Sequence, residues 1–369
     1  MNIFRWLRII MLAGLSLLLV SCSSGGGDDS DDCKCDDEPR IVEEGLLLTF
    51  QKQQEEGPAN VSVLFKVEKL GTVTEDVKKP VTDLSASDFE IFEDGDLISE
   101  SESRQAILPK PGEFTSYILL LLDLSGSVLD SENLPTLKQA ARGFVNDIMP
   151  SRESSDFEEI KMGLWWFDGA EHIHELVSFT TDAEKLLSRI ESIDENISRD
   201  SSTNLYGAVI EGTRRIEDLA GTRGNNVSIG SLVIFTDGKD QASRKTKGDA
   251  LDAVDSAADD PDADISVYSI GLGDEIDEDT LKAFGRDGFV YADDVQELVT
   301  KFEEIGDKIR KDVNSYYLME YCSPKRQGEH YLQISVVYYD RESAQELSGS
   351  LETCFCAEGF KGGCQIGND

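Results

Sequence analysis

Five side chains in three short segments have the types needed to do chemistry together. Asp123, Ser125 and Ser127 stand in Asp123-Leu124-Ser125-Gly126-Ser127, Thr203 opens Thr203-Asn204-Leu205, and Asp237 sits in Thr236-Asp237-Gly238. Two carboxylates and three hydroxyls form an all-oxygen donor set, which suits a hard cation. Magnesium takes near-octahedral oxygen ligands at roughly 2.0–2.1 Å and keeps several waters. Hydroxyls are neutral, so the set leaves net positive character on the ion, and a carboxylate from a partner could complete its shell. Softer metals prefer thiolate or imidazole, and neither is near in sequence. The ion expected is therefore Mg2+, with Ca2+ or Mn2+ served by the same oxygens.

Catalysis is not expected of these residues, and the chain reads as a binding protein rather than an enzyme. Ser125 and Ser127 lie in no G-x-S-x-G elbow. The chain has only three histidines, His172, His174 and His330. The first two fall on one face of a short predicted strand beside Glu171 and Glu175, and read as solvated edge residues. Trp165 and Trp166 read as core and sheet-face aromatics rather than a ligand platform.

A scaffold must bring the three segments together, and the middle of the chain supplies its pattern. Tyr117 to Leu122 is continuously apolar, as expected of a strand buried on both faces of a parallel sheet. Met162 to Phe167, Leu232 to Phe235 and Ile265 to Ile270 repeat the pattern. Between them apolar residues recur at helical spacing: Leu134, Leu137, Ala141, Phe144, Val145 and Ile148; then Leu186, Leu187, Ile190 and Ile193; and finally Leu298, Phe302, Ile305 and Ile309. Strands alternating with helices predict an α/β fold, a doubly wound, mostly parallel sheet flanked by helices, over residues 113–312. In such sheets ligands bind beyond the carboxyl ends of the strands. The Asp123 segment follows the first buried strand, the Asp237 segment follows the strand at Leu232 to Phe235, and Thr203 precedes a predicted helix. A lone D-x-S-x-S arises by chance in roughly one chain in ten of this size; three segments in matching context are much harder to obtain accidentally.

With those residues in place, the chain resembles the von Willebrand factor type A domain family. Asp123, Ser125 and Ser127 match its D-x-S-x-S motif, Thr203 its isolated threonine, and Asp237 its T-D-G aspartate. All five positions of the metal-ion-dependent adhesion site are present. The resemblance implies a Rossmann-like central sheet, direct ligation by Ser125, Ser127 and Thr203, and ligation by Asp123 and Asp237 directly or through water.

The flanks, residues 41–112 and 313–369, read as β-rich. Val61, Val63, Phe65 and Val67 alternate with Asn60, Ser62, Leu64 and Lys66, which predicts a mostly half-buried strand; Leu332, Ile334, Val336 and Tyr338 alternate with Tyr331, Gln333, Ser335 and Val337. Val81-Thr82-Asp83-Leu84 through Asp94-Gly95, and Tyr316 through His330, resemble segments that bracket type A domains in certain bacterial surface proteins. The expectation is one β-sandwich-like domain built from both flanks with the α/β domain inserted, the alternative being two β modules.

The first residues read as export and anchoring. Arg5 and Arg8 precede an apolar run from Ile9 to Val20, too short to span a membrane and suited to a signal peptide over residues 1–21. Leu19-Val20-Ser21-Cys22 resembles the lipobox of bacterial lipoproteins, which implies cleavage before Cys22 and lipidation of it. Ser23 resembles the default for outer-membrane sorting. Residues 22–40, rich in Gly, Ser and Asp, read as an acidic tether. The six other cysteines, Cys33, Cys35, Cys322, Cys354, Cys356 and Cys364, read as disulfide formers, since C-x-C spacing is a poor zinc signal. Fifteen pairings are open.

Composition sets the outer limits. The chain has 369 residues, 39% of them hydrophobic, which is enough for a sizeable core. A net charge of −38 excludes nucleic acid as a partner, because phosphate binding needs a basic face. The leading expectation is a lipid-anchored protein of the bacterial cell envelope that binds a protein partner offering a carboxylate to the metal. The alternative is an envelope scaffold or assembly component with a structural metal, or a regulatory subunit of an exported enzyme.

Overall fold

The computed structural model describes residues 33–362, apart from residues 36, 72–77, 99–105, 110–113, 130–132, 155–158, 224–225, 261–262 and 295. The signal peptide, Cys22, the first part of the tether and Cys364 lie outside the described residues. No helix among the described residues is long and apolar enough to cross a membrane.

The amino-terminal flank forms strands β1 (Arg40–Glu44), β2 (Leu46–Glu56), β3 (Asn60–Lys69), β4 (Lys79–Pro80), β5 (Phe89–Glu93), β6 (Asp96–Leu97) and β7 (Ala106–Pro109). The middle runs β8 (Phe114–Asp123), α1 (Gly126–Leu129), α2 (Leu134–Ile148), β9 (Ile160–Phe167), β10 (His174–Thr180), α3 (Ala183–Glu191), α4 (Leu205–Glu217), β11 (Gly221–Arg223) and β12 (Asn226–Thr236). It continues through α5 (Lys247–Ala258), β13 (Ile265–Leu272), α6 (Glu278–Phe284), β14 (Gly288–Ala292) and α7 (Leu298–Val313). The chain then returns to strands β15 (Tyr316–Cys322), β16 (Glu329–Asp340) and β17 (Gln345–Cys356).

The central sheet has the order β10-β9-β8-β12-β13-β14, with β11 paired to β12. Strands β9, β8, β12, β13 and β14 are parallel, and β10 and β11 are antiparallel additions. Along β8 the apolar run splits by parity. Ile118, Leu120 and Leu122 pack with Phe144 of α2, Leu186 of α3 and Phe302 of α7. Leu119 and Leu121 pack with Val209 of α4, Val254 of α5 and Leu281 of α6. Both faces are covered, which is why no polar residue interrupts the run. Each such buried Leu or Phe contributes about 1.5–3 kcal/mol. From β8 the order grows to β9 on one side and to β12 on the other, so the direction of winding reverses there.

Both flanks contribute to two antiparallel sheets, β1-β17-β16-β5-β6 and β2-β3-β15-β7 with β4 on β3. Val61, Val63 and Phe65 of β3 meet Leu332, Ile334 and Val336 of β16 in one core, which makes a sandwich. The half-buried reading of β3 is corrected by the structure. Leu64 of β3 joins the core of the α/β domain, and Lys66 is only 5% exposed. Asn60 and Ser62 are half-buried as expected, but Leu64 and Lys66 of that face are docked against the amino end of the parallel sheet. A tertiary contact thus overrides the alternating pattern.

Two disulfides, Cys33–Cys354 and Cys35–Cys356, join the start of the described chain to the end of β17, and Cys322 is also disulfide-bonded. The last residues of the segment read as a tether are therefore stapled, and β1 already begins at Arg40. Cys35, Cys356 and Glu329 lie together, but sulfurs joined to each other offer no thiolate to a metal.

Candidate metal centre at the carboxyl end of the sheet

Asp123 is the last residue of β8, and β12, the strand beside it, runs out at Thr236. The two aspartates are therefore brought together by strand pairing at the point where the winding reverses, as expected for a ligand site in such a sheet. Asp123 is fully buried. Its Oδ1 accepts the Ser125 N–H at 2.9 Å, closing a tight turn directly after the strand. Its Oδ2 accepts the Thr236 hydroxyl at 2.6 Å, and that hydroxyl oxygen accepts the Gly238 N–H at 3.1 Å. One threonine side chain so couples the first and third segments.

Ser125 is buried, and its Oγ lies 3.4 Å from the Oγ of exposed Ser127. The Ser127 hydroxyl donates to Asp237 Oδ1 at 2.8 Å. Thr203 is buried, and its hydroxyl stands 4.0 Å from where a Cβ on Gly238 would lie. The Thr203 carbonyl accepts the N–H groups of Gln241 and Ala242 at 2.8 and 3.0 Å, so the second and third segments hold each other. The first and second meet at Gly126, whose N–H donates to the Ser201 carbonyl at 3.0 Å. A Cβ at Gly126 would come within 2.7 Å of Ser201 Cβ. Glycine is required by this approach rather than by its backbone angles. All five residues singled out in the sequence are thus gathered in one place.

Their electrostatics fit a cation. Burial, then repulsion from Asp237, pushes the Asp123 carboxyl up to about 7, against hydrogen bonds from Thr236 and Ser125. Burial raises Asp237 too, opposed by Ser127 and reinforced by Glu275. Among the described residues no lysine, arginine or histidine forms an ion pair with either carboxylate. Two desolvated carboxylates without counter-charge, ringed by hydroxyls, fit a hard divalent ion, whose charge would relieve both penalties.

Several positioning groups were not identified from the sequence. Asn204 caps α4, accepting the Gly207 N–H at 3.2 Å while its Nδ2 donates to the Ala170 carbonyl at 2.8 Å. Asp168, buried after β9, accepts Ser198 Oγ at 2.6 Å and the Ala170 N–H at 2.8 Å. An asparagine ahead of an apolar helix is a legible cap; nothing local marks Asp168, whose carbonyl accepts the Asn204 N–H at 2.9 Å, or Thr236, the partner of Asp123. The histidines fall as follows. His172 precedes β10 rather than lying in it, and its Nδ1 is 2.7 Å from Glu211, which raises its pKa. His174 starts edge strand β10 and stacks on Trp166 at 4.1 Å. His330 Nδ1 is 2.8 Å from Asp94. Trp165 and Trp166 are buried, as expected of core and sheet-face aromatics.

Residues 118–239 match the von Willebrand factor type A domain. The α/β domain has that fold, and domains of this type often hold a divalent metal at this site and commonly mediate protein–protein interaction. No curated protein matches the chain in sequence. Among solved structures, the proximal thread matrix protein 1 from the mussel byssus is similar at 15% identity, over 53% of this chain and 48% of that one, with a TM-score of 0.42. This chain thus spans about half the length of the mussel protein, which has also been solved with a zinc-occupied adhesion-site motif. BatB from Bacteroides thetaiotaomicron is similar at 18% identity, over 55% of this chain and 100% of that one, with a TM-score of 0.41. The von Willebrand factor domain of the type V pili tip protein Mfa5 from Porphyromonas gingivalis is similar at 13% identity, over 54% and 96%, with a TM-score of 0.43.

Proposed function

We propose that this chain is a lipid-anchored envelope protein that binds a protein partner through a divalent metal held by Asp123, Ser125, Ser127, Thr203 and Asp237. The observation that carries the reading is the convergence of three loops on two uncompensated carboxylates at one end of the sheet, with Ser127 reaching the surface. Bound there, a magnesium ion would offer an open coordination position to a carboxylate of the partner. Thr236 and the Ser125 N–H hold Asp123 in one orientation, so the donor set is formed before the ion arrives. The sandwich docks at the opposite end of the sheet and leaves this end clear. Lipidation of Cys22 would keep the domain at the membrane and its partner outside the cytoplasm.

The test has two parts. Isothermal titration should show one magnesium site in the wild type, lost in Asp123→Ala and Thr203→Ala proteins whose circular dichroism is unchanged. Capture of a partner from envelope extracts should then require magnesium and be reversed by EDTA. A partner retained equally by the wild type in EDTA and by Asp123→Ala would show that the metal plays no part in recognition.

A further inference from the structure

A cleft of about 1170 Å³ opens between the sandwich and the amino end of the parallel sheet, far along the strands from the metal centre. Its walls come from β2, β3, β4 and the β16–β17 turn on one side, and from the segment after α5, the start of β13 and the end of α7 on the other. The volume is of the size that holds a small molecule, for which sites run to roughly 1000 Å³.

Its charge is out of keeping with the rest of the chain. Most carboxylates lining the cleft are already engaged. Lys66 Nζ lies 2.8 Å from Asp312 and 3.0 Å from Asp264. Lys69 holds Asp340 at 2.9 Å and Glu342 at 3.4 Å, and Arg286 holds Asp259 at 3.1 Å. Asp287 accepts the Val267 N–H at 2.7 Å, and burial raises its pKa, which favours its neutral form. Four exposed cations of the lining, Lys78, Lys308, Lys311 and Arg341, carry no ion pair among the described residues. They come from three separate elements: the lead-in to β4, one face of α7, and the β16–β17 turn. On a chain of net charge −38, gathering unpaired cations around one concavity is the opposite of what solubility alone would produce.

We propose that this cleft binds a small oligophosphate, either free or as the phosphorylated headgroup of a lipid. Lysine ammonium groups on flexible stems act as point charges suited to phosphoryl oxygens. The walls, with Tyr338 and the aliphatic stems of the lysines, exclude part of the solvent and strengthen those contacts.

The test uses the full chain carrying Asp123→Ala, so that phosphate cannot be drawn to the metal centre. Sodium tripolyphosphate is titrated calorimetrically, and phosphatidylcholine vesicles with and without cardiolipin are used in flotation. Saturable tripolyphosphate binding at one site, weakened about tenfold or more by Lys308→Gln with Lys311→Gln and by Arg341→Gln, and unaffected by Lys185→Gln outside the cleft, assigns the free ligand. Binding to cardiolipin vesicles alone, with the same losses, assigns the headgroup. No binding to either probe, or binding indifferent to the cleft substitutions, overturns the proposal and leaves these cations as a counterweight to the neighbouring acids.

Discussion

The two ends of the parallel sheet handle buried carboxylates in opposite ways. At the carboxyl end, Asp123 and Asp237 are desolvated and bonded by hydroxyls and N–H groups, and among the described residues no base forms an ion pair with either. At the amino end, Asp312 is buried and Asp264 partly so, but Lys66 reaches across from the sandwich to both and lies 5.3 Å above the Tyr316 ring, whose hydroxyl bonds Asp264. Burial disfavours the Lys66 ammonium, but the carboxylates outweigh it and hold its pKa well above the ordinary range. One end supplies its own cation and is a joint; the other, with no ion-paired cation among the described residues, is where the proposed metal would bind. In this contrast a buried acid points to a cation site where its counter-charge is missing, not by burial alone.

The largest effect should come from breaking the joint. Lys66→Met strands two buried carboxylates and should cost about 3–5 kcal/mol in urea denaturation; a loss below about 1 kcal/mol would mean that the joint contributes little to stability. At the other end, magnesium at about a hundred times its dissociation constant should add about 2.7 kcal/mol of stability to the wild type and none to Asp123→Ala. Equal thermal shifts in the two proteins would place the ion elsewhere. Thr236→Val removes the donor to Asp123 Oδ2 with little change of shape and should weaken magnesium about tenfold, read by calorimetry. Unchanged affinity would reduce Thr236 to a strand residue.

The last effect concerns pH at the joint. Burial pushes the Asp312 carboxyl from its ordinary 3.8 up to about 6, against the pull of Lys66. The folded state therefore holds a proton that the unfolded chain has lost, so this contribution is complete below 3.8 and disappears as pH rises through about 6. In Asp312→Asn that part of the slope should vanish, flattening stability between those limits by about 1–3 kcal/mol. A slope identical to that of the wild type would show that Asp312 is charged throughout.

Much of this was legible in the chain because it is local. The parity-free apolar run of β8, the helical spacing in α2 and α7, and the ligand types after two strands need no knowledge of distant residues. The short edge strands were harder to read. Strand β11 has three residues and β14 five, too few to establish a period against their neighbours. The partners of Asp123 were hidden for another reason, since Thr236 reaches it across 113 positions.

What the sequence determined by itself is the alternation of strands and helices, the all-oxygen character of the site and the capacity for disulfides. Each follows from residue type and spacing within a few turns of chain. Only the tertiary structure decided that Ser127 touches Asp237, that Cys33 and Cys35 pair with Cys354 and Cys356, and that Lys66 lies in a joint rather than in water. Those contacts span 110 to 321 positions. They depend on how three sheets and two helical layers stack, and residue spacing along the chain does not encode that stacking.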